Sequence, residues 1–150
     1  MKIYKLERKQ VLPINKSVCW KFFSDPRNLQ KITPPNMNFE IKSELPQTVY
    51  PGQIIIYNIK LLPGIKISWV TEITQSKDES YFIDEQRFGP YKFWHHQHLF
   101  SEVEGGMEVK DIVHYSAPFG ILGRLANWFF IRHKLNDIFK YRKNYLETCF

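Results

Sequence analysis

A chain of 150 residues, 43% hydrophobic and 24% charged, can bury one sizeable core, which argues against a disordered tail or a two-domain enzyme. Twelve Phe, eight Tyr and four Trp are a heavy load of rings that must line a packed core or a cavity. The formal net charge of +6 is mild and bears on encounter and solubility rather than on fold.

Cys19 and Cys149 are the only cysteines and form no C-x-x-C, so neither a disulfide framework nor a zinc ribbon is expected. Two reduced thiols in a cytoplasmic protein are the simpler expectation. The first ten residues, MKIYKLERKQ, carry charges where a secretory signal needs an apolar stretch. Runs such as Ile54–Tyr57 and Trp128–Ile131 stop far short of the roughly 20 apolar residues of a spanning helix, so no stable membrane insertion is expected.

In chain order, residues 2–12 read as a strand ended by Pro13. A short helix follows, capped by Asn15 or Ser17, with Val18, Phe22, Trp20 and Phe23 as its apolar side until Pro26. A further helical turn is expected over Arg27–Ile32, before Pro34-Pro35. Strand character then recurs at 37–43, 53–61, 65–75, 80–87, 92–103 and 107–116, punctuated by pairs such as Pro51-Gly52, Pro63-Gly64 and Gly105-Gly106. Beyond Gly120 the period becomes helical, with Ile121, Leu125, Trp128, Ile131, Leu135, Ile138 and Phe139 as one stripe. This order predicts a single α+β domain over residues 1–150, in which a curved antiparallel sheet wraps a long C-terminal helix and encloses a cavity.

The stretch Trp94-His95-His96-Gln97-His98-Leu99-Phe100 alternates, so Trp94, His96, His98 and Phe100 share one face. A two-residue turn at Gly105-Gly106 sets Phe100 opposite Asp111, His98 opposite Val113 and His96 opposite Tyr115. Asp111 then lies diagonally from His98, about 7 Å away. This face is the inner one, because Val109, Val113 and Tyr115 are its apolar partners, while His95 and His114 point outward. The facing of strand 80–87 stays open: a two-residue turn at Gly89-Pro90 turns Ile83 and Glu85 inward, and a loop of odd length turns Asp84 and Gln86 inward.

These residues resemble the START/polyketide-cyclase-like superfamily, also called SRPBCC, with its helix-grip fold. The resemblance covers nearly the whole chain. It is carried by Asp84-Glu85-Gln86 with Gly89-Pro90-Tyr91, by Trp94-x-His96-x-His98-x-Phe100, by Asp111-x-Val113-x-Tyr115-x-x-Pro118, and by Leu122-Gly123 and Ile138-Phe139-x-Tyr141-Arg142 downstream. Within the superfamily it is nearest a bacterial branch, some of whose members are labelled cell-division inhibitors. It implies a deep apolar pocket for lipids, polyketides or similar molecules, and it favours Asp84 and Gln86 as the inward pair. No G-x-G-x-x-G follows the first strand, so the epimerase label borne by some relatives finds no support here.

Two functional readings follow. In the first, Tyr57, Trp69, Trp94, Phe100, Val113 and Tyr115 supply the wall of a binding cavity, and His96, His98 and Asp111, joined by Asp84 and Gln86, orient the polar end of a small hydrophobic ligand. In the second, a cyclase- or dehydratase-like enzyme uses His98 as base, Asp111 as its orienter and His96 or Tyr115 as acid, without an organic cofactor. His96-x-His98 with Asp111 has the ligand types of a metal site, but Trp94 and Phe100 on the same face are expected to crowd it, and no metal is expected. Arg142 lies beside the buried stripe and is expected to meet a carboxylate or an anionic group. The last helix is rich in Lys and Arg among aromatic rings; these charges are expected to face water, with no nucleic-acid partner. The 46–52 loop, Leu62-Pro63-Gly64 and the 117–123 segment are candidate gates.

Overall fold

The computed structural model describes residues 1–150. Its elements are β1 (Tyr4–Leu12), α1 (Lys16–Phe23), two 3-10 turns (Pro26–Leu29 and Pro35–Met37), β2 (Glu40–Ile41), β3 (Ile54–Leu62) and β4 (Ile65–Lys77). They continue with β5 (Tyr81–Phe88), β6 (Phe93–Val103), β7 (Gly106–Ser116), α2 (Gly120–Ala126), a π-helical turn (Asn127–Ile131) and α3 (Arg132–Cys149). The seven strands form one antiparallel sheet in the order β1-β7-β6-β5-β4-β3-β2. The chain therefore leaves one edge after β1, runs through α1 and the 3-10 turns, and rejoins at the opposite edge as β2. Register shifts between β4 and β5, at Val70/Thr71 and Ile73/Gln75, add the bend that curls the sheet around α3. This is the expected α+β helix grip.

Local sequence explains most boundaries. Asn15 caps α1, its Oδ1 accepting from the Val18 amide at 2.9 Å. The face α1 buries is Cys19, Trp20 and Phe23, while Val18 is exposed, which corrects the expected apolar side. Trp20 meets Phe82 and Phe100 edge-on at 6.2 and 5.8 Å, locking α1 onto the sheet. The strand expected at 37–43 shrinks to Glu40–Ile41, because the second 3-10 turn and a left-handed Asn38 (φ 44°) occupy its first half. The helical turn expected over Arg27–Ile32 is the 3-10 turn Pro26–Leu29, capped by Asp25.

The β6–β7 hairpin corrects the predicted register by two residues. Val103 pairs with Gly106, so the turn is Glu104-Gly105, and the pairs are Trp94 with Tyr115, His96 with Val113, His98 with Asp111 and Phe100 with Val109. Gly105 takes the left-handed turn position (φ 91°), whereas Gly106 is needed as the first strand residue: a Cβ there would lie 2.0 Å from the Leu12 carbonyl oxygen. A shift of two preserves faces, so the inward set stands, but Asp111 is now directly across from His98.

The C-terminal segment departs further from expectation. Leu135, Phe139, Arg142 and Leu146 of α3 are buried against the sheet, where Leu135 and Phe139 cluster with Leu6, Val113 and Tyr115. Each such apolar side chain contributes roughly 1.5–3 kcal/mol on burial. Ile121, Leu125 and Trp128, predicted to continue that stripe, are exposed instead. Gly123 lets α2 close tightly against its own entry, where any Cβ would meet the Pro118 carbonyl oxygen at 1.8 Å, and buried Asn127 opens the π-helical turn. The wide turn changes the helical phase between α2 and α3, so one continuous stripe cannot face the sheet throughout.

Candidate functional site

Between the concave sheet face and α3 lies a partly enclosed, mostly apolar cavity of about 160 Å³. Period-two alternation aims Ile55, Tyr57 and Ile59 of β3, and Trp69, Thr71 and Ile73 of β4, into it. Tyr57 stacks on Trp69 at 5.7 Å, and Trp94 meets the Trp69 ring edge-on at 5.2 Å. Burial raises the Tyr57 phenol above its ordinary pKa, so it stays neutral. Ile138 and Phe139 of α3 close the opposite wall; Phe23, Ile32, Met37, Phe39 and Val49 close the side nearest β2.

One end of the cavity is polar. Asp84, His96 and His98 occupy adjacent inward positions, because Asp84 pairs with His96 and Phe82 with His98 across β5–β6. Asp111, opposite His98 on β7, sits behind them. Its Oδ1 accepts from His96 Nε2 at 2.8 Å and from Arg142 Nη1 at 3.0 Å, and lies 3.2 Å from His98 Nδ1. Asp84 Oδ2 lies 2.7 Å from His98 Nε2 and 3.5 Å from His96 Nδ1. The imidazoles of His96 and His98 are 3.7 Å apart, and His98 stacks on Phe82 at 4.1 Å.

These contacts set the charges. Burial opposes ionisation of Asp111, but the Arg142 charge and the two histidines hold its carboxyl well below the usual range. Burial also opposes the charged form of His98, yet its hydrogen bonds to Asp111 and Asp84 outweigh that and raise its pKa. His96 moves the other way, lowered by burial and by the neighbouring His98. His98 thus has a carboxylate at each ring nitrogen and no free lone pair. The register does place Asp111 directly behind His98, as the reading of His98 as a base with Asp111 as its orienter requires.

Of the residues expected to contact a ligand, Tyr57, Trp69, Asp84, Trp94, His96, His98 and Arg142 line the cavity. Gln86, Phe100, Val113 and Tyr115 do not. The Gln86 side chain braces the β5–β6 connection, donating to the Tyr91 carbonyl at 2.7 Å and accepting from the Tyr91 amide at 3.1 Å. Phe100 packs against Phe23 and Trp20, and Val113 and Tyr115 belong to the cluster under α3. Arg142 meets the expected carboxylate, Asp111. Of the two rings expected to crowd His96 and His98, Trp94 does lie edge-on to His96 at 6.0 Å, whereas Phe100 packs against Trp20 and Phe23. Of the candidate gates, Val49 of the 46–52 loop and Leu61, next to the β3–β4 turn, line the cavity, while the 117–123 segment lies outside it. Ile55 and Ile59 were legible from alternation with Tyr57; Ile32, Met37 and Phe39 sit in irregular chain, where no periodicity marks a facing.

Asp84, His96 and His98 also place one oxygen and two nitrogens within 4.8 Å of one another, a geometry able to hold a cation. No protein-family model matches the chain, and no curated protein matches it. Solved structures do. TTHA0849 from Thermus thermophilus superposes with a TM-score of 0.70 at 13% identity, covering 97% of this chain and 99% of that one. Ms6760 from Mycobacterium smegmatis gives 0.69 at 16% identity, covering 99% and 96%. Ara h 8.0201 gives 0.64 at 15%, covering 98% and 99%. At such identities the likeness shows a shared helix-grip fold and nothing finer.

Proposed function

We propose that this chain binds a small amphipathic ligand in the cavity between sheet and α3, as a member of the START/polyketide-cyclase-like superfamily. The observation that carries the reading is a mostly apolar cavity with one polar end, lined there by Asp84, His96, His98 and Arg142. The side chains of Trp69 and Arg142 line the cavity, and their Nε1 and Nε atoms are buried without a hydrogen-bond partner. Buried donors of this kind cost free energy unless a partner reaches them, and a ligand with an acceptor at one end supplies it. A volume of 160 Å³ lies near that of a cavity that accommodates benzene, so the ligand has about one or two rings or a short acyl chain rather than the bulk of a phospholipid. A cytoplasmic setting agrees with two unpaired thiols.

Native mass spectrometry of freshly purified protein, followed by displacement of a bound naphthalene-sulfonate dye, tests this. Retained organic mass, or dye uptake that Ile59→Trp blocks by filling the cavity while the fold persists, is the expected result. Dye uptake unaffected by that substitution would place binding elsewhere.

A second reading is acid–base catalysis of the cyclase or dehydratase type, supported by His98 lying between Asp84 and Asp111. In it His98 donates the proton and His96 accepts one. His98→Gln then abolishes turnover of a bound carbonyl ligand while leaving its affinity within a fewfold; equal turnover by the variant rejects this reading.

A further inference from the structure

We infer that Asp84, His96 and His98 form a binding site for a first-row divalent cation at the polar end of the cavity. This goes beyond ligand binding and does not depend on it. The geometry favours the site in three ways. Ligand atoms about 2.1 Å from one cation, at right-angled to tetrahedral spacing, lie about 3.0–3.4 Å apart; the separations from Asp84 Oδ2, 2.7 Å to His98 Nε2 and 3.5 Å to His96 Nδ1, bracket that range, so small side-chain adjustments bring the three atoms onto one cation. Asp111 touches the other nitrogen of each ring, His96 Nε2 and His98 Nδ1, and so turns the remaining two nitrogens toward Asp84. A carboxylate behind metal-binding imidazoles is the usual means of fixing their orientation and tautomer. Arg142 is engaged by Asp111 at 3.0 Å, which leaves Asp84 as a carboxylate without a permanent cation beside it. An incoming cation takes the place of the proton that His98 shares with Asp84.

Two histidines and one carboxylate suit Fe²⁺, Co²⁺ or Zn²⁺ better than Mg²⁺ or Ca²⁺, which prefer all-oxygen sets. All three side chains border the cavity, so the open coordination positions face any molecule held there. Titration of the full-length protein with Co²⁺ alone tests the site, read by calorimetry and by paramagnetic broadening of histidine ring signals. One equivalent should bind and broaden His96 and His98, sparing His95, His114 and His133. Asp84→Asn should abolish this binding, and Asp111→Asn should weaken it by about 10–100-fold. The wild-type spectrum decides the matter even where a variant fails to fold. Absence of binding, or broadening centred on the other histidines, overturns the inference, whatever becomes of the organic ligand.

A different observation carries a second inference: α2 and the π-helical turn form a docking surface for an anionic lipid membrane. Phe119, Leu122 and Phe129 are 81, 72 and 72% exposed, and Trp128 is 59% exposed. Exposed rings and aliphatics gathered in one segment exceed the scattered apolar residues of an ordinary surface. From Ile112 to Asn136 the chain carries no acidic residue, and its exposed Arg124 and Arg132 give a charge pattern complementary to anionic headgroups. A second copy is a poorer occupant, since a two-fold contact would set these cations against themselves. No helix of the structure is long and apolar enough to cross a membrane, so the contact is interfacial.

Co-sedimentation with phosphatidylcholine vesicles, with and without phosphatidylserine, tests it. Binding should require phosphatidylserine, fall with salt, shift tryptophan emission to the blue and be lost in L122S/F129S. No binding, or a dimer that L122S/F129S dissociates, overturns it.

Discussion

Replacing Arg142 with Met removes the permanent cation that faces Asp111. Both residues are buried, at 7 and 5% exposure, and Arg142 Nη1 donates to Asp111 Oδ1 at 3.0 Å. Methionine keeps the aliphatic bulk that packs near Phe139, whose ring lies 4.7 Å from the guanidinium carbon. The loss is therefore electrostatic. A buried carboxylate deprived of its partner typically costs about 3–5 kcal/mol. Relief of the unpartnered Arg142 Nε offsets part of that, and His96 still donates to the same oxygen, so a loss near the lower end, about 3 kcal/mol, is expected. Urea unfolding at pH 7, followed by tryptophan fluorescence and far-ultraviolet circular dichroism, should show a lower midpoint with unchanged slope. In a chain of this size that corresponds to a melting temperature lower by about 6–12 °C. The double variant D111N/R142M, which removes both charges but keeps an acceptor oxygen for His96, should recover part of the loss. A single-variant loss below about 1 kcal/mol, or no recovery in the double variant, would refute the reasoning that Asp111 depends on Arg142.

Gly106→Ala should destabilise by at least about 3 kcal/mol, because its Cβ meets the Leu12 carbonyl oxygen; Gly105→Ala, strained in φ but facing open space, should cost about 1–2 kcal/mol. Urea midpoints of the pair check the order. Burial pushes the Cys19 thiol up to about 12, whereas Cys149 is exposed, so a disulfide reagent at pH 8 should titrate one thiol in the native protein and two after unfolding. Asn15→Ala should cost about 1 kcal/mol through loss of the α1 cap, again read by urea unfolding.

The polar end of the cavity shows how sequence and tertiary structure divide the work. Alternation with period two assigned Trp94, His96 and His98 to one face, and parity protected that assignment when the turn proved to be Glu104-Gly105. Distances do not share that protection. A shift of two residues moved Asp111 from a diagonal neighbour of His98 to its direct partner. Asp84 entered the cluster through the β5–β6 register, which the loop after Phe88 decides and which residue pattern left open.

The C-terminal segment marks the same boundary. Helical spacing correctly placed Leu135 and Phe139 on the buried side, where one α-helix lies along the sheet. It misplaced Ile121, Leu125 and Trp128, because periodicity assumes a constant phase and the π-helical turn breaks it. The sequence by itself determined the order of elements, the inward face of β6 and the chemical types at the site, since these follow from backbone geometry and local hydrogen bonding. Only tertiary structure decided which carboxylate meets which imidazole, which rings bound the cavity and which apolar residues of α2 stay exposed, since those depend on register, sheet curvature and the close approach of one backbone to another.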